Sequence, residues 1–205
     1  MHEELIIYTG NKINAKKALI LLHGRGADAE DILSLSENLA VTDYLLAAPQ
    51  ASGNSWYPNS FLAIPQHNEP WLSSALNLVH KVVGGFIKQG IKKEKIYFLG
   101  FSQGACLTLE YTARNADLYG GIIAFTGGLI GDKIYSENYK GNFRNTPVFI
   151  GTSKPDFHVP VERVKASANI LRNMGADVTE KIYPNMGHTI NQDEIKNAND
   201  LIFKS

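Results

Sequence analysis

Five short apolar runs without polar alternation set the strongest limit on how this chain can fold. They are Ala18 to Leu22, Tyr44 to Ala48, Lys95 to Leu99, Gly121 to Phe125 and Pro147 to Ile150, with Val178 to Tyr183 as a sixth. A strand with one wet face alternates apolar and polar residues, whereas a strand covered on both faces stays apolar throughout. Runs of this kind need cover on two sides, and helices supply it. Helical spacing fills the intervals over Asp28 to Ala40, Leu72 to Gln89, Gln103 to Ala113, Val161 to Met174 and Asn191 to Phe203. Strands alternating with helices predict an α/β fold with a mainly parallel sheet and helices on both faces. Leu5 to Tyr8 is placed as an antiparallel edge strand.

At 205 residues the chain is expected to form one domain, 1–205. Lys plus Arg and Asp plus Glu each number 20, so no basic surplus points to nucleic acid. One cysteine, Cys106, makes no internal bridge and no multi-cysteine zinc site; it reads as a small buried residue. No run approaches the roughly 20 apolar residues that span a bilayer, and the opening Met1-His2-Glu3-Glu4 is acidic where a leader would be basic. A cytoplasmic protein without an integral membrane segment is the expectation.

The stretch 49–71 breaks the pattern. It holds four prolines, Trp56, Tyr57, Phe61 and Trp71, and no periodicity. Loops this long in a compact domain are usually functional or disordered, and the aromatics argue for order. It reads as a cap or lid loop over a site. Trp56, Trp71 and His23 are placed against substrate, with ordinary packing as the competing account of the two tryptophans.

Gly100-Phe101-Ser102-Gln103-Gly104 is a G-x-S-x-G motif between a strand and a helix. That context suits a nucleophile elbow, with the serine on a strained turn and the helix N-terminus favouring negative charge beside it. A serine N-cap would look the same locally, so the partners must decide. A base belongs in a loop after a late strand, and His188, in Asn185-Met186-Gly187-His188, is there. His158 lies two residues past the best acid and reads as a lining or capping residue. Asp156 follows the strand ending at Ile150 and is chosen as the acid; Asp132, after the preceding strand, is its rival, and Asp177 lies on the opposite rim. The oxyanion of an acyl-transfer reaction needs two N–H donors. Gln103, after the serine, supplies one, and the early loop His23-Gly24-Arg25-Gly26 supplies the other through Arg25. Gly24-x-Gly26-x-x-Ala29 also fits a dinucleotide fingerprint, but its required acid does not close the second strand.

His23-Gly24-Arg25-Gly26, Gly100-Phe101-Ser102-Gln103-Gly104, Asp156-Phe157-His158-Val159-Pro160 and Met186-Gly187-His188-Thr189-Ile190 together resemble the phospholipase/carboxylesterase family of α/β-hydrolases. The resemblance runs in order from Leu19 to Ile190. It implies an α/β-hydrolase fold, a triad of Ser102, Asp156 and His188, and an oxyanion hole from the backbones of Arg25 and Gln103. It implies a small-molecule ester substrate, no metal or organic cofactor, and a monomer or homodimer. The thioesterase branch of the family usually has leucine where this chain has Arg25, which brings the chain closer to the bacterial carboxylesterases. The Arg25 side chain then has two readings: a contact to a substrate carboxylate, or solvent. A thioesterase, a lysophospholipase, an acyl transferase and a non-catalytic binding module on the same fold are the alternatives.

Overall fold

The computed structural model describes residues 1–203. Its centre is a seven-stranded sheet. The strands are β1 (Ile6–Gly10), β2 (Lys17–Leu22), β3 (Tyr44–Pro49), β4 (Ile96–Phe101), β5 (Gly121–Phe125), β6 (Pro147–Lys154) and β7 (Asp177–Pro184). Their spatial order is β1-β3-β2-β4-β5-β6-β7. Only β1 runs antiparallel, against β3; every other neighbouring pair is parallel.

The apolar runs are explained by two cores, one on each face. Along β2, Ala18, Ile20 and Leu22 enter one core while Leu19 and Leu21 enter the other. The first core is closed by α2 (Trp71–Lys88), α3 (Gln103–Arg114) and α4 (Val161–Asn173). The second is closed by α1 (Ala29–Ser34) and α5 (Gln192–Leu201). An edge strand needs less cover, and β7, at one margin, keeps several exposed residues.

Two elements differ from the sequence expectation. The helix expected over 28–40 ends at Ser34 and continues as a 3₁₀ turn, Leu35–Asn38. The Ser34 and Ser36 hydroxyls donate back to the carbonyls of Asp31 and Leu33, a competition that ends regular helices. The strand expected to stop at Ile150 runs on to Lys154, because β7 pairs with it along its whole length.

Chain order places the sheet's reversal between β2 and β4. The chain leaves β2 for β3 on one side and returns to β4 on the other. Loops at the carboxyl ends of those two strands diverge and open a crevice, the usual ligand position in such sheets. Among the described residues, no helix is long and apolar enough to cross a membrane.

The crevice depends on a close crossing of α3 over β2 and β4. A Cβ at Gly104 would collide with the carbonyls of Leu22 and His23, and one at Gly100 with the backbone of Gly104. Neither obstacle is the flexible end of a side chain. Gly104→Ala is expected to destabilise the fold by about 3 kcal/mol through overpacking, read as a lowered urea midpoint. Unchanged stability would show that α3 can lift without cost.

Candidate active site

Ser102 joins β4 to α3 in a backbone conformation few L-residues adopt, with φ of 54° and ψ of −118°. Its N–H donates to Phe125 O at 3.0 Å and its carbonyl accepts from Cys106 N–H at 3.0 Å. These tertiary and helical bonds hold a turn that its local energetics disfavour. The hydroxyl is thereby presented above the sheet, at the N-terminus of α3.

Three strand ends converge on that hydroxyl. His188, four residues past the end of β7, brings Nε2 to 2.7 Å from Ser102 Oγ. Its Nδ1 lies 2.8 Å from Asp156 Oδ2. Asp156 follows β6, and its other oxygen accepts the N–H groups of His158 at 2.7 Å and Val159 at 2.9 Å. The carboxylate side chain is fully buried. Burial by itself would raise its pKa, but the bonds from His188, Val159 and His158 outweigh this and hold it below the usual carboxylate range. Asp156 is thus kept ionised against His188, which carries its proton on Nδ1 and offers Nε2 as acceptor to the serine. Asp132 does not enter this array; it lies in an exposed turn bonded to the Tyr135 hydroxyl.

The backbone N–H groups of Arg25 and Gln103 have no protein acceptor among the described residues. Gln103 is the first residue of α3, where such groups are left over by helix geometry. Both residues border a cavity of about 390 Å³ beside Ser102, whose other walls include Tyr57, Phe61, Cys106 and His158. The His158 ring packs edge-on against His188, with centroids 5.0 Å apart. Cys106 is buried, and burial pushes its thiol up to about 12, so it adds an unreactive wall.

The segment 49–71 covers the crevice as an ordered stretch with short 3₁₀ turns at Ser52–Asn54 and Pro65–Asn68. Three residues expected against substrate do not border the cavity beside Ser102. His23, beneath the segment, and Trp56, within it, are wholly buried and do not line the cavity. His23 Nε2 accepts Ala51 N–H at 3.1 Å, so Nδ1 carries the proton it donates to Gly24 O at 2.8 Å. Burial, opposed by the Gly24 bond and nearby carboxylates, holds His23 below the usual imidazole range, which preserves that neutral tautomer. Trp56 donates its indole N–H to His23 O at 2.8 Å. Trp71 opens α2 and borders a separate hollow with Ser52, Ser55 and Pro58. Trp56 turns inward because a large aromatic group in a tight loop gains more by packing the loop than by facing the crevice.

The Arg25 side chain has protein partners that neither sequence reading named. It is exposed, and its guanidinium donates to the carbonyls of Tyr57, Pro58 and Asn59. The cavity walls Tyr57 and Phe61 were not singled out by sequence, though both lie among the loop's aromatics. Glu194 was missed as well, although Asn191-x-x-Glu194 is a readable capping box.

Comparison with known proteins gives a consistent picture. The phospholipase/carboxylesterase family model matches residues 3–205. The crystal structure of a phospholipase/carboxylesterase from Dyadobacter fermentans superposes with a TM-score of 0.98 at 56% identity, covering 99% of this chain and 98% of that one. An acyl-protein thioesterase 1 from Gibberella zeae is 33% identical over 127 residues, 61% of this chain and 54% of its own length. A probable carboxylesterase from Oryza sativa is 25% identical over 201 residues, 87% of this chain and 83% of its own length. The chain spans about half the length of the first two curated relatives it matches.

Glu194 lies just past the His188 loop, wholly buried on α5. One oxygen accepts Asn191 N–H at 2.9 Å; the other, Oε1, has no partner and faces Gly151. Burial pushes its carboxyl up to about 7. The folded protein therefore binds a proton more tightly here than the unfolded chain does, so the associated stability is complete below about 4.5 and lost as pH rises through about 7. Glu194→Gln keeps the cap and removes the titration. Its unfolding free energy, from urea titration, is expected to match wild type at pH 4 and to exceed it by roughly 2 kcal/mol at pH 8.5. Equal pH profiles in the two proteins would mean that folding does not shift the Glu194 pKa.

Proposed function

The chain belongs to the phospholipase/carboxylesterase family, and on that premise we propose that it is a serine hydrolase of carboxylic esters working through an acyl-enzyme. The observation that carries this reading is the continuous relay Asp156 Oδ2, His188 Nδ1, His188 Nε2, Ser102 Oγ, with links of 2.8 Å and 2.7 Å. Such a chain has little structural purpose at the rim of a cavity but is what a weak nucleophile requires.

In this mechanism Ser102 Oγ attacks the ester carbonyl while its proton passes to His188 Nε2. Asp156, held ionised, orients the ring and stabilises the imidazolium. The carbonyl oxygen becomes an oxyanion and is received by the N–H groups of Arg25 and Gln103, aided by the positive end of α3. Collapse of the tetrahedral intermediate expels the alcohol, which takes the proton from His188. Water then attacks the acyl-enzyme, His188 removes its proton, and the carboxylic acid leaves with Ser102 restored. No metal or organic cofactor enters these steps. The cavity volume of about 390 Å³ suits small and medium acyl groups. We further read residues 1–205 as one domain. A thioester would use the same relay with a thiol as leaving group, a reading favoured by the fungal thioesterase among the relatives.

The test is turnover of p-nitrophenyl esters of increasing acyl length, with the matching thioesters in parallel. Wild type is expected to turn over short and medium chains and to be labelled by a fluorophosphonate probe. Ser102→Ala should abolish both, and Asp156→Asn should lower kcat on the order of 10⁴-fold while remaining folded. Full activity in Ser102→Ala would overturn the mechanism.

A further inference from the structure

Arg25 and Gln103 each do two things. Their backbone N–H groups are the proposed oxyanion donors, and their side chains grip one short piece of the covering segment. From one side, Arg25 Nη1 donates to Pro58 O at 2.9 Å, and Nη2 donates to Tyr57 O at 2.8 Å and Asn59 O at 2.7 Å. From the other, Gln103 Oε1 accepts Trp56 N–H at 2.9 Å and Nε2 donates to Tyr57 O at 2.8 Å. Tyr57 O is shared by both grips.

The two donors do not need this help equally. Gln103 N–H is aimed by the first turn of α3, a rigid support. Arg25 sits between Gly24 and Gly26, and Gly26 has φ of 83° with open space around it. Glycines on both sides leave the intervening peptides little steric guidance. One backbone bond, Gly26 N–H to Asn54 O at 2.7 Å, holds the far side of the residue. A longer one, Ala27 N–H to Gly24 O at 3.3 Å, closes the turn around it, and His23 Nδ1 holds the Gly24 carbonyl at 2.8 Å; the three bonds of the guanidinium add the tie from this turn to residues 57–59.

We propose that Arg25 is a positioning residue: its guanidinium, by gathering the carbonyls of residues 57–59, aims its own backbone N–H at the oxyanion. The inference rests on the hydrolase reading above. It also makes the segment a fixed wall at this point, bolted to the oxyanion site, and not a lid that opens there. Geometry, not charge, is the active property. Three successive carbonyls converge on the guanidinium as the chain turns through Pro58, two on Nη2 and one on Nη1, and a planar fork of fixed donors meets all of them. A lysine ammonium is a point charge without that span.

The experiment compares Arg25→Lys and Arg25→Gln with wild type in ester kinetics and in inhibition by an alkylboronic acid. The boronate forms a tetrahedral adduct on the serine and so reports on the oxyanion site. Both variants are expected to lose roughly ten- to a hundredfold in kcat, with KM changed less than about threefold and boronate Ki rising in parallel with the loss in kcat. In Arg25→Ala, added ethylguanidinium should restore part of kcat while ethylammonium should not, a comparison made within one folded protein. Wild-type kcat and boronate affinity in Arg25→Lys would overturn the proposal in favour of charge. A rise in KM alone would assign Arg25 to direct substrate contact and overturn it equally. Wild-type turnover and its loss in Ser102→Ala test the hydrolase reading separately, whereas the ratio of variant to wild type tests the clamp.

Discussion

The close crossing of α3 over the ends of β2 and β4 is the constraint on which the rest of the site depends. Backbone meets backbone there because Gly100 and Gly104 carry no side chains. The crossing forces Ser102 to φ of 54°, and the surrounding bonds, not local preference, maintain it. Strain of this kind costs about 1–3 kcal/mol and persists only where packing over-determines it. Here α3 supplies that packing, since every residue from Gln103 to Ala113 is buried. Raising the helix by even the width of a methyl group would move the hydroxyl and the Gln103 N–H together.

Preorganisation continues outward from that crossing. His23, Trp56 and the Arg25 and Gln103 side chains consume their polar groups in tying the segment 49–71 to the two loops below it. Donors that are already aimed need no reorganisation when charge develops, which is why such sites stabilise oxyanions better than water does. Of these, Arg25 and Gln103 border the cavity, and in the proposed mechanism the same two residues supply its N–H donors.

Two buried carboxyls flank His188 in sequence space and behave oppositely. Asp156 receives two backbone N–H bonds and the imidazole, which outweigh its burial and keep it ionised. Glu194 receives one N–H and leaves Oε1 unpartnered, so burial prevails and its carboxyl titrates near 7. The contrast follows from hydrogen bonding and burial together: Asp156 gathers three donors, whereas the more deeply enclosed Glu194 has one and lies near the Asp193 carboxylate. An ionised acid stands beside the His188 ring, and an acid whose pKa is raised stands where only a helix cap is required.

The sequence by itself determined the alternation of strands and helices, the double burial of the sheet, and the positions of Ser102, Asp156 and His188 at strand ends. These are local signals: apolar runs, helical spacing and glycine-bracketed turns, each decided within a few residues of chain. The extra length of β6 was invisible because it is set by pairing with β7. The roles of Arg25, His23 and Trp56 were likewise beyond reach, since a side chain's partners there lie about 30 residues away. The sequence could say that a long aromatic loop must be ordered. Only the tertiary structure decided which of its atoms face the crevice, because a loop's inside and outside are fixed by what it packs against and not by any period of its own.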